Sequence, residues 1–315
     1  MYTNNITNML CISISKSYIR YFSVKDNNII KLDAIKLENK LDYNYKTADK
    51  FFEDLSAVFS IMAKQGLDSH KDLAISLPAQ WTDLSIYSID SGLSSKDKLE
   101  FFNWKNKQKY GKRVDDFIFQ YYPIKDHNPD QYLVVGYQQK LKNELIQSAL
   151  GKSFKIKFID IDIFAVLNSI KYMRLDDGLE EYAILISHEN GKDHSTLVVG
   201  KDGSIINYLE INTSLDKNPI VKNAAPIDND LYSDIISISR NKEANLVYLS
   251  GILVFNRVNS PIFKEILKLH KNKIIVPEIQ QNDQLFASNQ LTGENHKIDD
   301  YLDVFGLVVR EADKK

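Results

Sequence analysis

The chain has 315 residues, 43% hydrophobic and 26% charged, with a formal net charge of −2. That is ordinary globular composition, long enough for two lobes with separate cores. No cationic block stands out, which argues against a nucleic-acid footprint. The single cysteine, Cys11, allows no internal disulfide and fits a reducing compartment.

The apolar runs predict three opening strands, "MLCISIS", "YIRYFSVK" and "IIKLDAIKL". The first pair is joined by the polar turn Ser15-Lys16-Ser17-Tyr18, and the next by Asp26-Asn27-Asn28, residues that tolerate positive φ. A helix is expected from Thr47 to Gln65, with Phe51, Phe52, Leu55, Val58, Phe59 and Met62 on one face and Gly66 ending it. Strands "DLAISLPA" and "LSIYSID" follow. Ser94 is a helix cap for Ser95 to Lys109, whose Trp104 reads as a core anchor. Strands "VDDFIFQYYPI" and "QYLVVGYQ", a helix ending at Gly151, the strand "FKIKFIDI" and a helix from about Ile163 to Met173 complete the first half. After "RLDDGLEE" a second meander begins: Tyr182 to Ser187, "HSTLVVG" and "SIINYLEI".

Glycine is scarce, 12 in the chain, against a usual share of about 7%. No Gly-x-Gly occurs, which removes the dinucleotide fingerprint. Gly151-Lys152-Ser153 imitates the end of a phosphate loop, but it follows its helix instead of preceding one, and reads as a C-cap. Asp160 and Asp162 in "FIDIDIF" are paired carboxylates at a strand end. They could hold a hydrated metal, although an N-cap role for Asp162 is the simpler reading. His188, Asp193 and His194 read as loop residues, and no Ser/His/Asp set is arguable. "MYTNNITN" has no secretion-signal character, and no apolar run approaches the ~18 residues of a membrane span. A cytoplasmic protein is therefore expected.

Two segments align without gaps, "KDNNIIKLDAI" from Lys25 and "KDGSIINYLEI" from Lys201, each closing a three-strand meander. This predicts a duplicated lobe. Two lobes that open with hairpin meanders and close with helices are the architecture of the actin-like ATPase fold. At the motif level "CISISKSYIRYF" resembles the first phosphate hairpin of the PilM family of pilus-assembly proteins. The resemblance continues through Leu77-Pro78, Trp104, Asp115-Asp116 and Gln120-Tyr121, the segment "YLVVGYQQKLKNELIQSAL…FKIKFIDIDIFAVLNSI", and the closing "VFGLVVREADKK". MshI-type relatives of PilM show similar pruning.

The resemblance implies an α/β, two-lobed, ribonuclease H-like fold. The first lobe would span residues 1–178, with a small subdomain inserted at about 73–160. The second would span 179–315, with its helical insertion largely missing. The resemblance also locates the nucleotide contacts and shows them altered. Ser13 stands where the family has a metal-facing aspartate, and Ser15 where it has glycine, with Lys16 and Ser17 completing the tip. Ile186 or Ser187 occupies the second aspartate position, and Ser250-Gly251-Ile252 the adenine turn. A serine supplies no carboxylate charge to Mg²⁺, and a Cβ narrows a phosphate pocket. The expectation is thus a pseudo-ATPase without cofactor or metal. It would be a cytoplasmic scaffold of a type IV pilus or related secretion machine, peripheral to the inner membrane through its partners. It would link the N-terminal cytoplasmic tail of a PilN-like single-span protein to the assembly ATPases. Trp81, Tyr87, Phe119 and Tyr121 are the candidate peptide-groove residues. The alternative is a working ATP-binding protein with divergent motifs.

Overall fold

In a computed structural model, the structure describes residues 8–26, 28–41, 48–69, 72–124, 130–175, 179, 181–187, 194–201, 204–212, 220–224, 251–255, 274–275 and 301–312. The chain divides into two compact units. Unit 1 comprises residues 1–81, 141–175 and 277–315, and unit 2 comprises 82–140 and 176–276.

Unit 1 is built on a five-stranded sheet. Its strands are β1 (Asn8–Ile14), β2 (Tyr18–Lys25), β3 (Asn28–Lys36), β4 (Asp72–Leu77) and β8 (Ile156–Ile161), in spatial order β3-β2-β1-β4-β8. The first three form an antiparallel meander, and β4 and β8 add in parallel beside β1. β1 is central and buried on both faces, which is why it reads as an almost unbroken apolar run. One face, with Leu10, Ile12 and Ile14, meets α1 (Ala48–Lys64) and α3 (Gln139–Leu150). Phe51, Leu55, Phe59 and Met62 of α1 and Leu141 and Leu145 of α3 share that core. Each such side chain contributes roughly 1.5–3 kcal/mol through removal from water. Gly66, at φ 75°, ends α1 in the left-handed conformation glycine adopts without strain.

The opposite face is covered by α4 (Asp162–Met173) and a last helix, α5 (Leu302–Ala312). Phe22 of β2 stacks on Tyr301 just before α5, with ring centroids 5.5 Å apart. The two helices cross closely at Gly306. A Cβ there would lie 1.7 Å from the Ala165 carbonyl oxygen.

Unit 2 holds two sheets. The small one has β5 (Asp83–Ile89), β6 (Phe117–Ile124) and β7 (Asp130–Gln138), in order β5-β7-β6, all antiparallel. One face of it carries α2 (Ser95–Tyr110), whose N-cap Ser94 accepts from the Asp97 amide as its sequence predicts. The larger sheet has order β12-β11-β10-β9-β13-β14. Its strands are β9 (Glu181–Ser187), β10 (His194–Lys201), β11 (Ser204–Asn212), β12 (Ile220–Asn223), β13 (Gly251–Phe255) and β14 (Ile274–Ile275). The two sheets are joined by backbone and by charge. The Ile86 amide donates to the Ala224 carbonyl at 2.7 Å, and Lys222 Nζ donates to the Thr82 carbonyl at 2.6 Å.

The two aligned segments fall in separate sheets, and their hairpins share an irregularity. The β2–β3 register shifts between Ser23 and Val24, just before the Lys25↔Asn28 pair. The β10–β11 register shifts between Val199 and Gly200, just before Lys201↔Ser204. A β-bulge at the same aligned position is an independent mark of common descent.

Candidate functional site

The polar residues of unit 1 collect in one row at the carboxyl ends of its parallel strands, where open α/β sheets bind ligands. Strand register lines up Arg20 (β2), Ser13 (β1), Ser76 (β4) and Asp160 (β8): Ser13 pairs with Arg20 and with Ser76, and Ser76 with Asp160. α5 lies over this row and supplies two charges to it. Asp303, in its first turn, accepts a hydrogen bond from Ser13 Oγ and a longer one, at 3.5 Å, from Ser76 Oγ. Arg310, two turns later, ion-pairs with Asp160, and its guanidinium lies over the Phe158 ring at 4.6 Å. Next to it, Glu311 takes Lys157 at 2.6 Å. The helix is also held by the Ser169 hydroxyl, which donates to the Leu302 carbonyl.

The electrostatics of the row are internally compensated. Burial raises the Asp303 carboxyl pKa, opposed by the Ser13 hydrogen bond and the Arg20 charge. Burial likewise raises Asp160, opposed by Arg310. Each acid thus has a cation of the same unit working to keep it ionised. The Ser13 hydroxyl is directed to the Asp303 carboxylate.

The hairpin tip is equally committed. The Ser15 amide donates to the Tyr18 carbonyl at 2.9 Å, and Ser15 Oγ takes the Tyr18 amide at 3.2 Å. The carbonyls of Lys16 and Ser17 are taken by the amides of Leu41 and Leu37, both at 2.8 Å. Ser17 is buried and Lys16 exposed. A tip that cradles phosphate presents its amides outward; here the Ser15 and Tyr18 amides close the turn on itself.

The other sequence expectations fall out as follows. Asp160 is held by Arg310. Asp162 opens α4 without capping it: its carboxylate takes the Ile163 amide at 2.7 Å and the Ala79 amide at 3.0 Å, tying the exit of β4 to the helix. Among the described residues no cluster of three or more metal-ligating side chains occurs. Gly251 opens β13, paired with Tyr182, so an extended strand stands where a turn was expected. Ser250, His188 and Asp193 lie outside the described residues; of the segment where a reduced insertion is expected, only residues 212 and 220–224, the end of β11 and β12 with Ala224, are described. Ile186 is buried in β9.

Of the groove candidates, Trp81 is 7% exposed and packs edge-on against Phe51, 5.0 Å away, in the unit 1 core. Tyr87, Phe119 and Tyr121 share the α2 face of the small sheet. Tyr121 stacks on Phe102 at 4.4 Å, and Asn106, buried beneath α2, bonds both the Tyr87 and the Tyr121 hydroxyls. Phe119 lies 5.3 Å from the Tyr110 ring. Burial and the nearby Asp83 push the Tyr87 hydroxyl pKa up to about 12. Trp104, expected in the core, is instead 51% exposed. It lies half a helical turn away from Phe102 and Asn106, which take the inward positions.

Asp303 and Ser76 carried no motif. The one sequence signal is that Asp303, Gly306 and Arg310 fall three and four residues apart, a polar and small stripe along an otherwise apolar helix.

No family model matches the sequence, and no curated protein matches it. The fold does match solved structures. A "PilM-PilN type IV pilus biogenesis complex" chain superposes with a TM-score of 0.67 at 11% identity, over 97% of this chain and 99% of that one. The cytoplasmic domain of EpsL, an inner-membrane component of the type II secretion system of Vibrio cholerae, gives 0.49 at 12% identity, over 97% and 94%. A Bacteroides thetaiotaomicron protein of actin-like ATPase fold gives 0.47 at 12%, over 88% and 93%. The likeness that carries weight is the first, and it is a likeness of fold. In fold this chain is PilM-like, a two-lobed actin-like α/β protein, as its motifs led one to expect.

Proposed function

We propose that this chain is a nucleotide-independent scaffold of a type IV pilus or related secretion machine. The observation that carries the reading is the Ser13–Asp303 contact. The strand end that should present a carboxylate to Mg²⁺ presents a hydroxyl, and that hydroxyl is held by the protein's own buried acid. The self-satisfied turn at Ser15 and Tyr18 supports it. In this reading the protein sits on the cytoplasmic side of the inner membrane and is held there by partners; no described helix is long and apolar enough to cross a membrane. Its partners are the N-terminal tail of a PilN-like single-span protein and the assembly ATPase. An extended tail would add along β6, an edge strand of the small sheet with no neighbour on its outer side among the described strands.

A second reading has an observation of its own. Asp303 places a carboxylate within hydrogen-bond distance of Ser13, so the acid missing from β1 is supplied from α5, and an ATP-binding protein could use it. Thermal melting with Mg-ATP separates the two. A ligand at 100 times its Kd stabilises by about 2.7 kcal/mol. The scaffold reading expects no shift at millimolar Mg-ATP. A clear shift that Asp303→Asn abolishes would establish the second reading. Titration with the cytoplasmic tail peptides of neighbouring membrane proteins tests the partner, and failure of every such peptide to bind would leave the fold alone standing.

A further inference from the structure

α2 carries aromatic residues on two faces. Phe102 points into the small sheet with Asn106 and Tyr110. Phe101, Trp104, Lys105 and Gln108 follow at helical spacing on the opposite side, where a helix that only covered a sheet would be polar. Trp104 is 51% exposed, the rings of Phe101 and Trp104 are 5.9 Å apart, and Lys105 lies over both, at 5.7 and 5.3 Å. The segment is also the basic part of the chain. Residues 95–113 contain seven basic side chains and two acidic ones, a net of +5 in a protein of net −2, and both acids, Asp97 and Glu100, precede Phe101.

Two of these lysines anchor the helix from within: Lys98 on Asp130 at 2.8 Å and Lys109 on Asp83 at 3.0 Å. Lys107, in the turn after Trp104, and Lys112, just past the end of the helix, are both exposed. The inner side of α2 is thus fixed to the sheet, and its outer side presents aromatic rings flanked by long cationic side chains.

We propose that this outward face of α2, centred on Phe101, Trp104 and Lys105, rests on the surface of an anionic lipid bilayer. The chemistry is complementary. Aromatic rings enter the headgroup region, lysine stems lie along it while their ammonium groups reach anionic headgroups, and Lys105, Lys107 and Lys112, rather than the lysines held inward by Asp130 and Asp83, supply the attraction. The patch is one convex helix face, which suits a soft planar surface, whereas an extended peptide needs an open strand edge. The inference does not depend on the nucleotide reading: the membrane would be touched directly as well as through partners.

The full chain is mixed with vesicles of phosphatidylcholine, with and without phosphatidylglycerol, and sedimented at low salt. Tryptophan emission is recorded in parallel. The chain has only two tryptophans, and the other, Trp81, is buried in unit 1, so a shift reports Trp104. The expected result is sedimentation with the anionic vesicles only, a blue shift on binding, and weakening as salt is raised. Each lysine reversed should cost about fivefold or more in partitioning, so Lys105→Glu with Lys107→Glu and Lys112→Glu should lose well over tenfold. Trp104→Ser should lose the shift and most of the binding. Both variants change exposed or half-buried side chains, and an unchanged urea midpoint establishes that they fold. The proposal is overturned if the protein stays in the supernatant with anionic vesicles at low salt, if neutral vesicles bind it equally, if the variants bind as well as the parent, or if binding leaves the emission unmoved.

Discussion

Replacing Gly306 with alanine puts a methyl group where the Ala165 carbonyl already stands. The added Cβ would meet that oxygen at 1.7 Å, its carbon at 2.5 Å and Ser169 Oγ at 3.0 Å. Ordinary contact begins at 3.4 Å, so α5 must move off α4 by about 1.7 Å. The obstacle is backbone, which no rotamer change relieves. Overpacking of this kind costs about 1–3 kcal/mol and sometimes more. The upper end applies here because the same displacement stretches the bonds from Asp303 to Ser13 and from Arg310 to Asp160. Against this, alanine gains about 1 kcal/mol of helix propensity over glycine. The net loss is about 2 kcal/mol, a fall of roughly 4–8 °C in Tm for a unit of this size. The assay is thermal and urea melting of Gly306→Ala beside Gly151→Ala. At Gly151 the new Cβ comes only within 3.4 Å of the Gln147 carbonyl, and a change within about 0.5 kcal/mol is expected. If Gly306→Ala is as stable as the parent, α5 does not cross α4 at this point. The seating of Asp303 on Ser13 would then lose its support.

Arg310→Met should leave Asp160 buried without its cation and cost about 2–3 kcal/mol, less than the 3–5 of a fully buried pair because Arg310 is 38% exposed. Adding Asp160→Leu should recover part of the loss, and strictly additive losses in the urea midpoints would deny the coupling. Ser13→Asp should place a second carboxylate against Asp303 and destabilise the protein, whereas the exchange Ser13→Asp with Asp303→Ser should restore much of the stability; equal midpoints for the two would count against the contact. Asp303 and Asp160 both have carboxyl pKa values above the ordinary 3.8 because burial penalises charge. The folded state therefore holds these protons more tightly than the unfolded chain, and this part of the stability falls as pH rises from about 3.8 through the raised values. Asp303→Asn should flatten that fall in a series of urea midpoints against pH, and an unaltered slope would remove Asp303 from the account.

Local periodicity and turn chemistry carried much of the fold. β1 to β3 were readable because each is an apolar run closed by a polar turn, and α1 because its apolar positions recur at helical spacing up to Gly66. The Ser94 cap was readable because a serine three residues before an acid satisfies an orphan amide. What stayed hidden depends on contacts distant in sequence. Nothing local in "LDVFGLVVREA" says that this helix covers β1, nearly three hundred residues earlier, so Asp303 went unseen even though Ser13 was singled out. Trp81 and Trp104 show the same limit. Both are large apolar residues beside polar ones, and only the packing of Phe51 on one and of Phe102 beside the other decides which is buried. Phe117, Phe119 and Tyr121 of β6 alternate correctly for a sheet face, but periodicity cannot say that α2 covers that face.

The two meanders keep one backbone irregularity while the residues that form it differ. Their hairpins share the bulge after Ser23 and after Val199, yet the residues at the bulge differ. Val24 stands opposite Met9, whereas Gly200 stands opposite Tyr182, whose ring would lie 2.6 Å from any added Cβ. Backbone register is the more constrained of the two, because a one-residue slip would turn every buried side chain outward, while a single side chain is exchanged with one compensating neighbour. The polar row follows the same rule. A carboxylate at the end of β1 is dispensable to the fold once a serine can be satisfied there, and Asp303 satisfies it at the cost of burying an acid that Arg20 must help to keep charged. With the carboxylate on α5, the Ser13 hydroxyl at this strand end is satisfied within unit 1. Packing fixes the strand geometry and leaves the chemistry to the side chains at the strand ends, which is how one architecture serves unrelated functions.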